Sequence, residues 1–189
     1  MRAAGRTDAG VHAKQQYVSI EVPTIVDPSK LQAGVNALTP TTLQCFSLST
    51  CDTAFDPRRS AHRKCYAYRI FNNRTPSVFK QANSLFVPQP LDFLAMRDAA
   101  AYLTGTKDWS SFRASDCGAS TATRTIESSH IFRDSEGVLQ FRIVGCGFLK
   151  QMVRILAGTL VEVGQGKRAA ASIPELIELR DRSLAGQTA

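Results

Sequence analysis

The 189-residue sequence has no run approaching ~18 consecutive apolar residues, so no membrane-spanning helix is expected. Its first residues also lack the apolar core of a secretory signal. Histidine is scarce: His12, His62 and His130 lie far apart. The five cysteines, at 45, 51, 65, 117 and 146, form no Cys-x-x-Cys pair and no cluster with histidine. Structural zinc needs closely spaced ligand pairs, so no metal centre is expected. The odd cysteine count fits reduced thiols inside a cell, several of them serving as small core residues. Internal repeats and low-complexity tracts are absent as well.

Acidic residues are the minority, with 16 Asp plus Glu against 23 Lys plus Arg and a net charge of +7. Lysine is the rarer cation, seven against 16 arginines. Arginine suits phosphate because its planar fork donates two parallel hydrogen bonds, where lysine offers a point charge. A generally basic surface accounts for this excess as well as a polyanionic partner does. What remains is ordinary for a globular chain: 43% hydrophobic and 21% charged residues. A chain of this size buries roughly 70% of its unfolded surface and needs no disulfide or metal staple. It suits one domain, or two small halves sharing a core.

Strand-like and helix-like segments alternate. Residues 17–22 read as a short strand, and Asp27-Pro28 opens a helix carrying Leu31, Val35 and Leu38, stopped by Pro40. Residues 42–49 and 65–71 read as strands, the second alternating Tyr66, Tyr68 and Ile70 against Ala67, Arg69 and Phe71. A helix over 93–103 closes at Thr104-Gly105, and the Ser/Thr/Ala/Gly-rich stretch 109–123 reads as loop. Residues 125–133 and 138–144 form a hairpin over Asp134-Ser135-Glu136-Gly137. The strongest helix spans 148–163, and the last begins at Ser172 with a capping box to Glu175. The class is α+β, with mainly antiparallel sheet flanked by helices.

Gly5-Arg6-Thr7-Asp8-Ala9-Gly10-Val11-His12 sets a carboxylate in a glycine-flanked turn directly before a strand. Gly5 and Gly10 permit sharp turns and close approach of a ligand. A lone Asp-Ala-Gly is more often a turn whose aspartate bonds its own backbone. The full eight-residue string, however, resembles the catalytic motif of the TruA family of tRNA pseudouridine synthases. The resemblance continues in order through Gly34-Val35-Asn36-Ala37-Leu38, Phe55-Asp56-Pro57-Arg58-Arg59-Ser60-Ala61 and Tyr66-Ala67-Tyr68-Arg69-Ile70. It runs on through Ser111-Phe112-Arg113-Ala114, Met152-Val153-Arg154 and residues 158–164 (Gly-Thr-Leu-Val-Glu-Val-Gly).

That resemblance implies the pseudouridine synthase fold, built from two ferredoxin- or RRM-like halves. Residues 1–75 would be an incomplete first half with the catalytic motif and the tyrosine strand, and residues 76–189 a second half with the helix carrying Arg154. It implies a cofactor-free isomerase that turns uridine into pseudouridine in the anticodon stem-loop, at positions 38–40 of the tRNA. Asp8 would be the nucleophile, or the electrostatic partner of the cleaved sugar, and Arg154 would pair with it and keep a partly buried carboxylate ionised. Lys150, four residues before Arg154, would share its helix face. Tyr66 would stack on the target base. Arg6 would fill the space left by the flipped nucleotide, and Arg58, Arg59 and Ser120 would contact RNA, although Thr121 stands where the family carries a basic residue. Ser111-Phe112-Arg113 either lines the RNA groove or staples a loop to the sheet.

The family has a longer segment before the motif, where Met1 here precedes Gly5 by four residues, and a final strand after the last helix. The chain is therefore expected to lack a first strand, a first helix and a last strand. A homodimer bound to tRNA in the cytoplasm is the implied assembly, with no membrane and no small-molecule cofactor. The alternative reading is a tRNA-binding module, or an inactive remnant, whose site is left unformed by the missing elements.

Overall fold

The structure is a computed structural model and describes every residue except Arg6. The chain divides into two compact units, Met1–Ala61 and His62–Ala189. In the first, β1 (Arg2–Ala3) and β2 (Val18–Ser19) pair antiparallel, with Arg2 opposite Ser19 and Ala3 opposite Val18. Helix α1 (Pro28–Leu38) starts where expected. The Asp27 carboxylate accepts from the Ser29 N–H at 2.8 Å, and Pro28 needs no partner for a missing N–H. Residues 42–49 do not form the expected strand. Side-chain amides of α1 take their main chain instead. Asn36 exchanges two bonds with Cys45 (2.7 and 3.0 Å), and the Gln32 amide donates to the carbonyls of Cys45 and Phe46.

The second unit holds a five-stranded sheet. In chain order it comprises β3 (Lys64–Asn72), α2 (Val78–Gln81), β4 (Leu85–Val87), α3 (Phe93–Ala101), β5 (Gly105–Asp108), β6 (Thr123–Arg133), β7 (Leu139–Gly145), α4 (Met152–Gly164) and α5 (Ile173–Leu179). The strand order is β4-β3-β7-β6-β5. All neighbours are antiparallel except β3 and β4. The class is thus α+β, with a mostly antiparallel sheet flanked by helices. The tyrosine strand β3, assigned above to the first half, pairs in this second unit with β7, Tyr66 facing Ile143 and Tyr68 facing Phe141.

Alternation decides which face is buried. Leu139, Phe141 and Ile143 of β7 and Ile70 of β3 point into a core completed by Met96 and Ala99 of α3 and Ile155 and Leu156 of α4. On the other face Cys65, Ala67, His130 and Arg142 are exposed. Trp109 and Phe112, in the stretch read as loop, are wholly buried around a short 3-10 turn, Ser110–Phe112. Among the five free cysteines only Cys117 is buried, which corrects the expectation that several are core residues.

Two helix starts also differ. Helix α4 begins at Met152 rather than Phe148, because Gln151 is left-handed at φ 58° and Leu149 is inserted into the core from the preceding turn. At Ser172 no capping box forms. Its backbone is already helical, and its hydroxyl donates to Ala169 O at 2.8 Å, at the end of a 3-10 turn.

Candidate active site

Asp8 sits in the first unit, in a loop between β1 and β2. The loop closes on itself where the Val11 N–H donates to Asp8 O at 3.1 Å, around Gly10 at φ 78°. A side chain at that φ would be strained, so glycine suits the position. The Gln16 amide donates to Gly5 O at 2.7 Å, and the Ala4 N–H to Tyr17 O at 2.9 Å, which anchors both ends of the motif. The Asp8 side chain is exposed, in contrast to the partly buried carboxylate expected. Arg6 lies outside the described residues.

Arg58 and Arg59 leave one capped turn. Their N–H groups donate to Asp56 Oδ1 at 2.8 and 3.2 Å, and these bonds hold the Asp56 carboxyl below its ordinary value. Both arginine side chains are exposed. Two guanidinium groups presented by one braced turn are suited to phosphate oxygens.

The second unit carries the other assigned residues. Tyr66 and Tyr68 point to the helix side of β3 and pack at the margin of the core. The Tyr66 ring meets Phe148 edge-on, centroids 5.0 Å apart at 84°. Arg154, half-buried in the first turn of α4, donates through Nε to Ala189 O at 2.7 Å. Its charge reaches Tyr68: burial pushes the phenol above its ordinary value, and the Arg154 guanidinium pulls against that rise. Arg154 therefore lies on the side of β3 that Tyr66 faces. Tyr68, two residues along the same strand face, is the residue that reports this proximity. Its same-face spacing from Tyr66 was the signal available.

Lys150 does not share a helix face with Arg154. It precedes the left-handed Gln151, and its ammonium pairs with Asp116. Ser120 is exposed in a bend of the 113–122 loop. Beside it, Arg124 Nη1 donates to Thr121 O at 3.0 Å and Thr123 O at 2.6 Å, so a guanidinium stands next to the position where Thr121 lacks charge. Ser111-Phe112-Arg113 is a staple. Ser111 Oγ donates to Leu176 O at 2.6 Å, Phe112 packs 6.0 Å from Trp109, and Arg113 Nη2 donates to Cys117 O at 2.6 Å. Among the described residues no group of three or more His, Cys, Asp or Glu side chains could hold a metal ion, and no helix is long and apolar enough to cross a membrane.

Comparison with known proteins gives a consistent picture. The family model described as tRNA pseudouridine synthase matches residues 99–189. A protein of Myxococcus xanthus named tRNA pseudouridine synthase A is 43% identical over 187 residues, which is 99% of this chain and 71% of that protein. Proteins of the same name from Bacillus licheniformis and Acetivibrio thermocellus are each 39% identical, over 99% and 98% of this chain and 75% and 76% of their own lengths.

Proposed function

Because the chain belongs to the tRNA pseudouridine synthase family, an isomerase family, we propose that it converts uridine to pseudouridine in the anticodon stem-loop of tRNA, with Asp8 as its nucleophile. The observation that carries this reading is the 43% identity extending over 99% of the chain, the Asp8 loop included. The five-stranded, mostly antiparallel sheet with its helices agrees with that family's fold.

The reaction breaks the N1–C1′ bond of uridine, turns the base, and joins C5 to C1′. The C5 proton is lost and N1 gains one. Nothing is oxidised, so the chemistry calls for no redox cofactor or metal. It calls for a carboxylate at C1′, which is the role of Asp8, acting by covalent attack or by stabilising the sugar as the bond breaks. Tyr66 stacks on the base and assists removal of the C5 proton, since a ring contact worth ~1–3 kcal/mol survives rotation of the base. Arg154 keeps the carboxylate ionised and in place. Arg6, Arg58, Arg59 and Ser120 hold the tRNA, with Arg6 in the space of the flipped nucleotide. The catalytic motif and the tyrosine strand come from residues 1–75, and Arg154 from 76–189. The working form is a homodimer, acting in the cytoplasm.

The test uses unmodified tRNA tritiated at C5 of its uridines. Wild-type protein releases tritium, and Asp8→Ala lowers the rate by at least ~10³-fold. Affinity for tRNA stays within about threefold, because phosphate contacts supply most of it. Turnover that survives Asp8→Ala removes the nucleophile assignment. A folded wild-type chain that binds tRNA without releasing tritium is a binding module instead.

A further inference from the structure

Residues 186–189 run against the side of α4 that carries the buried Gly158 and Thr159, and the approach is unusually close. A Cβ on Gly158 would lie 1.8 Å from Gln187 O, and a Cβ on Gly186 would lie 2.6 Å from Thr159 N. Neither glycine can accept a methyl group, so helix backbone and tail backbone meet directly. The buried Thr159 hydroxyl links the two. It donates to Ile155 O at 2.9 Å within the helix and accepts from the Gly186 N–H at 3.0 Å. The tail is braced upstream as well. Arg168 Nη2 donates to Leu184 O at 2.6 Å, and Arg182 reaches Ala185 O at 3.4 Å and Thr188 Oγ1 at 3.2 Å.

This docking delivers Ala189 to Arg154. The Ala189 oxygen accepts from Arg154 Nε at 2.7 Å, while the Ala189 N–H donates to Arg154 O at 3.2 Å. Nε, Cζ and both Nη atoms of an arginine are coplanar. Tying Nε to a fixed acceptor therefore sets the plane of the whole guanidinium and the direction of its Nη groups. An arginine on an open helix face would sample several rotamers and lose that freedom on each catalytic cycle.

We propose that residues 186–189 form a strap that positions the Arg154 guanidinium, and that Gly158, Thr159 and Gly186 are the positioning residues that seat it. The proposal rests on the assignment of Arg154 to the isomerisation. It adds that the reaction depends on a backbone seat four to five residues farther along α4. Thr159 touches neither substrate nor the reacting atoms; it acts through Arg154.

Thr159→Val tests this with the shape of the side chain kept and the hydroxyl removed. The expected result is a fall in kcat on the order of 10- to 100-fold, as for a misplaced catalytic group, with KM for tRNA changed by no more than about twofold because phosphate contacts are untouched. Thr159→Ser restores kcat. A second readout needs no substrate. The Arg154 Nε–H resonance, assigned by its loss in Arg154→Lys, exchanges with water at least ~10-fold faster in Thr159→Val as its hydrogen bond loosens. Ile131→Val, a core truncation on β6, controls for lost stability and leaves both kcat and this exchange unchanged. Wild-type kcat in Thr159→Val, or a slowed kcat with Arg154 exchange unchanged, overturns the strap. If the wild-type protein releases no tritium, the assigned reaction fails. The strap is then judged by exchange alone, and equal exchange in wild type and Thr159→Val overturns it.

Discussion

The Asp134 carboxylate shows how one side chain can shape a turn and make the fold sensitive to pH. Its Oδ1 accepts from the N–H groups of Glu136 (3.0 Å) and Val138 (2.9 Å), closing the β6–β7 hairpin. Its Oδ2 accepts from the Gln140 amide at 2.9 Å and from Arg69 at 3.3 Å. The Gln140 bond is the largest cause holding this carboxyl below its ordinary 3.8; burial opposes it, and the Val138 and Glu136 N–H groups and the Arg69 charge add to the lowering. The sign follows from linkage. A carboxylate whose folded pKa is depressed contributes stability that is fully present above the unfolded value. That contribution is lost as pH falls through the folded one. The protein should therefore lose stability in acid, below about pH 4. Asp134→Asn should be less stable than wild type at pH 7 and should approach it as the pH drops. Urea midpoints measured from pH 7 to pH 2.5 check this, and parallel curves for the two proteins would mean that Asp134 contributes nothing to the acid limb.

At the scale of the element, the start of helix α4 is set by one residue. Gln151 is held at φ 58°, a conformation that costs an L residue roughly 1–2 kcal/mol and glycine almost nothing. Gln151→Gly should raise stability by up to ~1 kcal/mol, and Gln151→Val should lower it by ~1–2 kcal/mol, since a β-branched side chain is worst placed there. Thermal unfolding orders the three proteins, and a valine variant as stable as wild type would show that the turn relaxes at no cost. The same residue explains a limit of reading this sequence. Apolar spacing runs on through Phe148 and Leu149, so the periodicity extends the helix one turn too far, while Leu149 is in fact buried from a turn whose Lys150 carbonyl accepts from Ala114 N–H. Helix α1, the long strand β3 and the β6–β7 hairpin were legible because each carries its own cap, alternation or turn. Strands β4 and β5 were not, being three and four residues long, too short to show a period. Residues 42–49 look like a strand, yet their carbonyls are claimed by Gln32 and Asn36, a tertiary effect without local signature. In the candidate site, the turn at Asp8 was legible from Gly10. The hold on Arg154 was not, since Ala189 lies 35 residues along the chain.

At the scale of the whole molecule, the two units differ in what stabilises them. The second is built around Trp109, Phe112, Phe141, Met96 and Ile155, all essentially inaccessible to water. Each such side chain contributes ~1.5–3 kcal/mol by leaving water. Among its described residues the first unit buries only Ala4 and Pro57, and α1 has no buried residue at all. Tyr17, Ile20, Leu38, Leu43 and Phe46 stay exposed. Its order rests on bonds such as those of Asp27, Gln32 and Asn36, each worth ~0.5–1.5 kcal/mol net. Ordering the backbone costs ~1–2 kcal/mol per residue. The first unit should therefore open far more readily than the second, although it carries the loop of Asp8 and the braced turn of Arg58 and Arg59. Hydrogen exchange followed by mass spectrometry should show the amides of residues 28–38 exchanging at least ~100-fold faster than those of β7 and α4. Excess unmodified tRNA should slow exchange at residues 5–12 and 56–60, because a ligand that binds only the ordered form raises its population. Equal protection of the two units in free protein would show that the first has stabilising contacts beyond these hydrogen bonds. Unequal protection with no slowing by tRNA would mean that the RNA is held by the second unit alone, and would leave Asp8 without a substrate to act on.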